Sequence, residues 1–515
     1  LFAPGRRGDI VRLLLAAIIG VAIGGSMAFL AMRSSKLLML VFPVLLLPFV
    51  AMMVQHLRVL IVVLLPAIVS FPVAKAFMRP SLEWTSLGVL AGFYISLALV
   101  ALVVVYTLWA VQLLVKRGEL ANCMPILMVP HLLYVVVSFV SIIVAQKPLF
   151  TLFEWFLNLQ AFLLYTYIVS TIRNRREIQW MMIILLFNLI FHGFMSFITR
   201  GLGRPMELGP AQLLIDDQGR VGGLFSHPNH ATTFFYLMMP PALAILLTHP
   251  RRAIKALALV AFGAGFVGMA FTQSRGGFVA TCMSLFVFFF LAVWRGWMSF
   301  KVPLIAGFIG ALGFIPIAPI ILQRFVEDDG GSAESRGPLA KLAWRMMLDH
   351  PVIGVGANNF PVNMFEYITP DLGEVHLYTV HNKFLGVWSE TGTLGFIAFM
   401  LVMFTVLYHG WLCVTAPTNQ DPFFPMVGLS FACSFIGMFT HMYVNVFRAL
   451  YLIHIIWFSA GMTAVMAHLS RTPSEEILEY DPLDKEAKVC PVGRPQALPG
   501  VAAMHQGQVQ REVIQ

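Results

Sequence analysis

The sequence is poor in charge. Asp, Glu, Lys and Arg make up 11% of 515 residues, against 59% hydrophobic residues and a mean hydropathy of +0.81. That shortage excludes a water-soluble globule, because one core cannot hide so much apolar surface. Cysteine is scarce too. There are five, with Cys282, Cys413 and Cys433 inside apolar runs, Cys123 bordering one and Cys490 in the tail, so no disulfide framework is expected. Carboxylates are few, and no pair of Asp or Glu has the spacing of a glycosidase acid and nucleophile. Asp216 and Asp217, and the cluster Glu327, Asp328 and Asp329, read as solvated loop features.

What is abundant is apolar runs long enough to cross about 30 Å of hydrocarbon. Fourteen such runs fall between Leu13 and Val465, which predicts an all-α polytopic membrane protein of about 12 to 14 transmembrane helices. Residues 1–199 are expected to form an amino-terminal transmembrane bundle, residues 200–468 a catalytic region with a large loop at 323–381, and residues 469–515 a disordered cytoplasmic tail.

The net charge of +9 raises the question of nucleic acid, but its distribution follows the positive-inside rule. With a cytoplasmic amino terminus, short inner loops hold fourteen basic residues, including Arg173, Arg175, Arg176, Arg251 and Arg252, against seven in short outer loops. Membrane lipids, not nucleic acid, are the expected surroundings.

The polar residues gather in the outer segments. "GRVGGLFSHPNHATTFF" (219–235) joins Arg220 to a glycine pair and a helix start, where Ser226, Asn229 or Thr232 could cap orphan amides. His227 and His230 are three apart, a spacing open to metal, but Pro228 interrupts and no carboxylate is adjacent, so no metal site is expected. "FTQSRGGF" (271–278) places Arg275 immediately before a span. In "AESRGPLAKLAWRMMLDHPVIGVGANNF" (333–360), Leu339, Leu342, Ala343, Met346 and Met347 recur at helical spacing, leaving Arg336, Lys341 and Arg345 either to snorkel or to meet an anion. "YTVHNKFLGVWSETGTLGF" (378–396) brings His381, Asn382 and Glu390 to the mouth of another span. Read alone, His381 is an interfacial histidine. With Arg220 and Arg275 on the same side, it points to a transferase that displaces a phosphate, since arginine suits bidentate phosphate binding and histidine suits proton transfer. Glu390 could orient the His381 ring or cap backbone amides.

"GGLFSHPNHAT", "SRGGF", "HPVIGVGANNF" and "HNKFLGVWSETGTLG", in this order between Arg220 and Met400, resemble the bacterial O-antigen ligase and O-antigen polymerase family. The resemblance implies a metal-independent, cofactor-free inverting glycosyltransferase of the bacterial inner membrane, with its active site facing the periplasm. Its donor would be an undecaprenyl-diphosphate-linked glycan, and its acceptor a glycan, a lipid A core or a protein. Carried onto this sequence, Arg220 and Arg275 would hold the diphosphate and His381 would act on the acceptor hydroxyl, with Asn229, Arg336, Arg345, Asn382 and Glu390 as supporting candidates. A protein O-oligosaccharyltransferase is an alternative within this chemistry. A lipid-linked glycan transporter or flippase is the alternative outside it, although few charges lie at span centres and no repeat is visible.

Overall fold

The computed structural model describes residues 54–116, 125–208, 211–225, 227–315, 318–319, 336–370, 377–417 and 422–472. The first expected span, all but the last residue of the second, and the carboxy-terminal tail beyond residue 472 lie outside these residues. The described chain falls into two compact units. One comprises 54–62 and 103–116, and the other comprises 63–102 with 125–472.

Eight helices are long and apolar enough to cross a membrane among the described residues: α5 (Pro148–Thr171), α6 (Arg175–Leu202), α7 (Pro228–Thr248), α8 (Arg252–Thr272), α9 (Arg275–Trp294), α13 (Lys383–Val414), α14 (Phe423–Met442) and α15 (Leu450–Leu469). Four further apolar helices are α1 (Val54–Ser70), α3 (Leu97–Lys116), α4 (Pro125–Val140) and α10 (Lys301–Phe314). The chain is an all-α polytopic membrane protein.

Two expected spans are shorter as helices than the apolar runs that announce them. The run 59–76 leaves the helix at Ser70, ahead of Pro72, and turns into strand β1 (Ala74–Phe77). A five-residue helix, α2 (Leu82–Ser86), follows, and strand β2 (Phe93–Ser96) pairs antiparallel with β1 before α3 begins. The run 87–115 therefore spends its first ten residues outside the helix.

Local chemistry starts and sustains the long helices. Asn174 caps α6, its side chain accepting from the Arg176 amide at 2.8 Å, and Gly203 ends it at φ 62°. Helix α7 carries Pro240 and Pro241 in its interior. Pro241 cannot donate to the Leu237 carbonyl, which instead accepts from Ser434 Oγ of α14 at 3.3 Å. Helix α15 is buried on all sides, while α8 and α9 leave most of their surface to the surroundings. Within this unit α7 packs on α8 and α14, α9 on α14, α5 on α15, and α13 on α4 and α14.

Between the long helices lie the pieces that build the site. A three-stranded antiparallel sheet of β3 (Met206–Leu208), β4 (Ala211–Ile215) and β5 (Val221–Gly223) joins α6 to α7. Helices α11 (Arg336–Asp349) and α12 (Phe360–Tyr367) precede α13. They share an apolar core of Leu339, Leu342, Ala343, Met346, Val355, Phe360, Met364 and Val380, so the helical spacing read in the sequence is a buried face.

Candidate functional site

The turn between β4 and β5 aims Arg220. Asp216 Oδ1 accepts from the amides of Gln218 (3.1 Å) and Arg220 (2.8 Å), and the Asp216 amide donates back to the Arg220 carbonyl at 3.0 Å. Gly219 completes the turn at φ 72°, a conformation natural to glycine. Asp216 is therefore the residue that closes this hairpin, and its Oδ2 lies 3.8 Å from Arg220 Nε. The guanidinium also donates from Nη2 to Asn229 Oδ1 at 3.0 Å and from Nε to the Thr272 carbonyl at 3.4 Å.

Asn229 links the two arginines, since the same Oδ1 accepts from Ser274 Oγ at 3.0 Å. Ser274 is the N-cap of α9, its Oγ accepting from the Gly277 amide at 3.3 Å, and Arg275 is the first residue of that helix. The "SRGG" motif thus has a separate use for each residue: the serine caps, the arginine faces the site, and the glycines allow two close approaches. A Cβ at Gly277 would overlap the Thr232 side chain of α7, and one at Gly276 would lie 2.7 Å from Cδ2 of His441 on α14.

His381 is fixed from both sides. Asn382 caps α13, its Oδ1 accepting from the Leu385 amide at 3.1 Å. Upstream, the Thr379 amide donates to the Leu87 carbonyl at 3.0 Å, Val380 is buried in the α11 and α12 core, and the His381 ring centre lies 5.1 Å from that of Tyr378.

The segment "HPVIGVGANNF" serves a break in α13. At Gly392 (φ 65°, ψ −170°) the helix is interrupted, and the strap 351–356 supplies the missing partners. Amides of Val355 and Gly356 donate to the carbonyls of Ser389 and Glu390 at 3.0 and 2.9 Å, while Thr393 donates to the Pro351 carbonyl at 2.8 Å. A Cβ at Gly354 would lie 2.5 Å from the Glu390 carbonyl carbon. The asparagine pair then reaches the segment before β2, α5 and the approach to α5. Asn358 Oδ1 accepts from the Leu90 amide at 3.0 Å, Asn359 Oδ1 accepts from the Lys147 amide at 2.9 Å, and Asn359 Nδ2 donates to Thr151 Oγ1 at 3.0 Å.

Arg220, Arg275, Arg336, His227, His381 and His441 meet in one cavity of about 690 Å³, together with Asp216, Asp217 and Asn229. Of the other supporting candidates, Arg345 donates to Thr369 Oγ1 (2.5 Å) and the Tyr367 carbonyl (3.3 Å), away from the cavity lining. Glu390 serves backbone and charge, not His381. Its Oε1 accepts from the Phe360 amide at 3.0 Å and its Oε2 pairs with Arg448. Arg448 also donates to Thr379 Oγ1 at 3.1 Å and lies 3.9 Å from Glu154, which in turn lies 3.9 Å from Lys383 Nζ. Burial opposes the Arg448 charge, but Glu390 and Glu154 outweigh it and hold its pKa above the ordinary value.

The pairing of Glu390 with Arg448, Glu154 and Lys383, and the place of His441 in the cavity, are not legible in the sequence. The usable signal was a single carboxylate, Glu154, inside the apolar run 149–171. His227 and His230 have ring centres 5.6 Å apart, but their Nδ1 atoms are engaged elsewhere, by the Asn229 amide and by the Tyr451 hydroxyl. Among the described residues no three His, Cys, Asp or Glu side chains group as a metal-binding set.

Residues 257–400 match the family model described as O-Antigen ligase. Over these residues the chain is similar to the O-antigen ligase family. No curated protein matches the chain. The matched O-antigen ligase region contains Arg275, Arg336 and His381, whereas Arg220, His227 and Asn229 precede it and join the same cavity through the fold. This match supports a membrane glycan-processing function of the ligase or polymerase type.

Proposed function

We propose that the protein is a glycosyltransferase that moves a glycan from an undecaprenyl diphosphate carrier to an acceptor hydroxyl at the periplasmic face of the bacterial inner membrane. The observation that carries this reading is the convergence of Arg220, Arg275 and Arg336 with His381 on one cavity. Three guanidiniums against two carboxylates leave that space net positive, as a diphosphate requires. Asn229 couples Arg220 to the cap of the Arg275 helix, so the two can act as one clamp.

The chemistry is a single displacement. The acceptor oxygen forms its bond to the sugar's anomeric carbon as the bond from that carbon to the phosphate oxygen breaks. The electron pair leaves with the lipid diphosphate. The acceptor proton passes to His381, and attack opposite the leaving group inverts the anomeric centre. Charge accumulates on the leaving diphosphate as that bond breaks, so arginines aimed there favour the transition state over the bound donor. With the donor charge met by guanidinium groups, the reaction needs no metal.

The test is purified full-length protein in nanodiscs with a lipid-linked oligosaccharide donor, offered a lipid A core, a second lipid-linked repeat and a Ser-containing peptide as acceptors. Transfer to one of them, retained in excess chelator, supports the reading and names the acceptor. Arg275→Lys keeps the charge but loses the planar fork and should transfer poorly at normal protein level. Unchanged transfer with Arg275→Ala would remove the clamp. A topology reporter after Arg345 that is active only in the cytoplasm would put the cavity on the wrong side.

A further inference from the structure

Three histidines line the cavity, and their ring nitrogens are not equivalent. His227 is the N-cap of α7, and its Nδ1 accepts from the Asn229 amide at 3.0 Å. A ring nitrogen that accepts carries no proton, so the neutral ring holds its proton on Nε2. His227 is an exposed residue of the cavity lining. Arg220 belongs to the same segment, held by Asn229, the residue whose amide fixes the His227 ring.

We propose that His227 is a substrate-binding residue of this cavity, an uncharged imidazole whose Nε2–H donates to an oxygen of the lipid-linked diphosphate beside Arg220. This deepens the reading given above and rests on it. His227 is unsuited to be the base, because its accepting nitrogen is already used by backbone, and that leaves the proton-accepting role to His381. A neutral donor also adds a hydrogen bond without adding to the crowded cations of Arg220, Arg275 and Arg336.

The charge state follows from the surroundings. Desolvation by the surrounding groups first, then the Arg220 charge, lowers the His227 pKa to about 4, with Asp216 opposing and His381 adding a little. His230 lies beside it, and Arg275, Arg336, Asp217 and His441 complete the charged and titratable groups of the cavity. A folded pKa of about 4, two units below pH 6, leaves His227 neutral throughout pH 6 to 8, so its contribution to binding should not vary there.

The experiment measures binding of undecaprenyl diphosphate to full-length protein in nanodiscs at pH 6, 7 and 8. Asn and Ser both supply a capping oxygen, so His227→Asn and His227→Ser keep the start of α7 but lose the Nε2 donor. Both variants should melt like wild type and bind about tenfold more weakly, by the same factor at each pH. Wild-type affinity in both would show that His227 only caps the helix, overturning the proposal while leaving the functional reading intact. A weakening that grew or vanished across this pH range would overturn the neutral-donor role. Should wild type bind neither undecaprenyl diphosphate nor the glycan-linked donor, the functional reading itself falls, and this proposal with it.

Discussion

Replacing Asn229 with alanine removes one oxygen that serves two partners. Oδ1 accepts from Arg220 Nη2 and from Ser274 Oγ, each at 3.0 Å. A hydrogen bond from a charged donor contributes about 1.5 to 3 kcal/mol and a neutral one about 0.5 to 1.5 kcal/mol. These do not simply add, because Arg220 keeps Asp216 and the Thr272 carbonyl as partners and Ser274 keeps the Gly277 amide. The loss is therefore of aim and not of charge. At about 1.4 kcal/mol per tenfold, Asn229→Ala should lower transfer by roughly 10- to 100-fold, mainly in kcat, with fold and protein level retained. Asn229→Asp separates aim from charge. It keeps an acceptor for both partners but sets a carboxylate beside the diphosphate, where a like charge a few ångströms away costs roughly 3 kcal/mol at an effective dielectric of about 20. Its defect should appear in the donor KM. The assay is initial rates against donor concentration in nanodiscs. Wild-type kcat and KM for Asn229→Ala, beside an inactive Arg220→Ala, would refute the claim that this residue couples the two arginines.

Gly277→Ala sets a Cβ against the Thr232 side chain and should separate α9 from α7, with an overpacking cost of about 1 to 3 kcal/mol read as a lower melting temperature. The paired change Gly277→Ala with Thr232→Ala should recover much of it. His381→Ala should lose about 10²- to 10⁴-fold in transfer while undecaprenyl diphosphate still binds, and loss of that binding would reassign His381 to the diphosphate.

Much of this arrangement is legible in the sequence, for identifiable reasons. Long apolar runs announce spans because hydrocarbon leaves a backbone few other options, and Arg220, Arg275 and His381 stood out as polar residues at span mouths. Residue type alone did not separate residues that face the cavity from residues that build it. Arg336 and Arg345 lie on one helix in similar sequence surroundings, yet only Arg336 lines the cavity. Asn382 was legible as a helix start, whereas the partners of Glu390 were not, because Phe360 is thirty residues and Arg448 fifty-eight residues away along the chain. The pairing of β1 with β2 was hidden because both strands continue apolar runs that read as membrane helix. Likewise the glycines and asparagines of 354–359 announced tight turns, but their service to a broken helix depends on Gly392, more than thirty residues further on.

The buried cluster below the strap makes its own prediction. Glu154, Lys383, Glu390 and Arg448 have side chains no more than 11% exposed, and Arg448 touches three parts of the fold at once: α5 through Glu154, α13 through Glu390, and the approach to His381 through Thr379. Desolvation offsets much of the attraction in such a cluster, so its presence is weak grounds for high stability. Breaking it is another matter. Arg448→Met leaves Glu390 facing only the Phe360 amide and Glu154 facing only Lys383, and an uncompensated buried carboxylate costs about 3 to 5 kcal/mol. The melting temperature should fall sharply, and turnover should fall further than donor binding, since Thr379 lies two residues before His381 while the arginine clamp stands on other elements. Adding Glu390→Gln removes the stranded charge and keeps an oxygen for the Phe360 amide. Arg448→Met with Glu390→Gln should therefore melt above Arg448→Met alone, while turnover stays low because Thr379 has still lost its donor. Equal melting temperatures for the single and double variants would show that charge compensation is not what holds the strap and helix together.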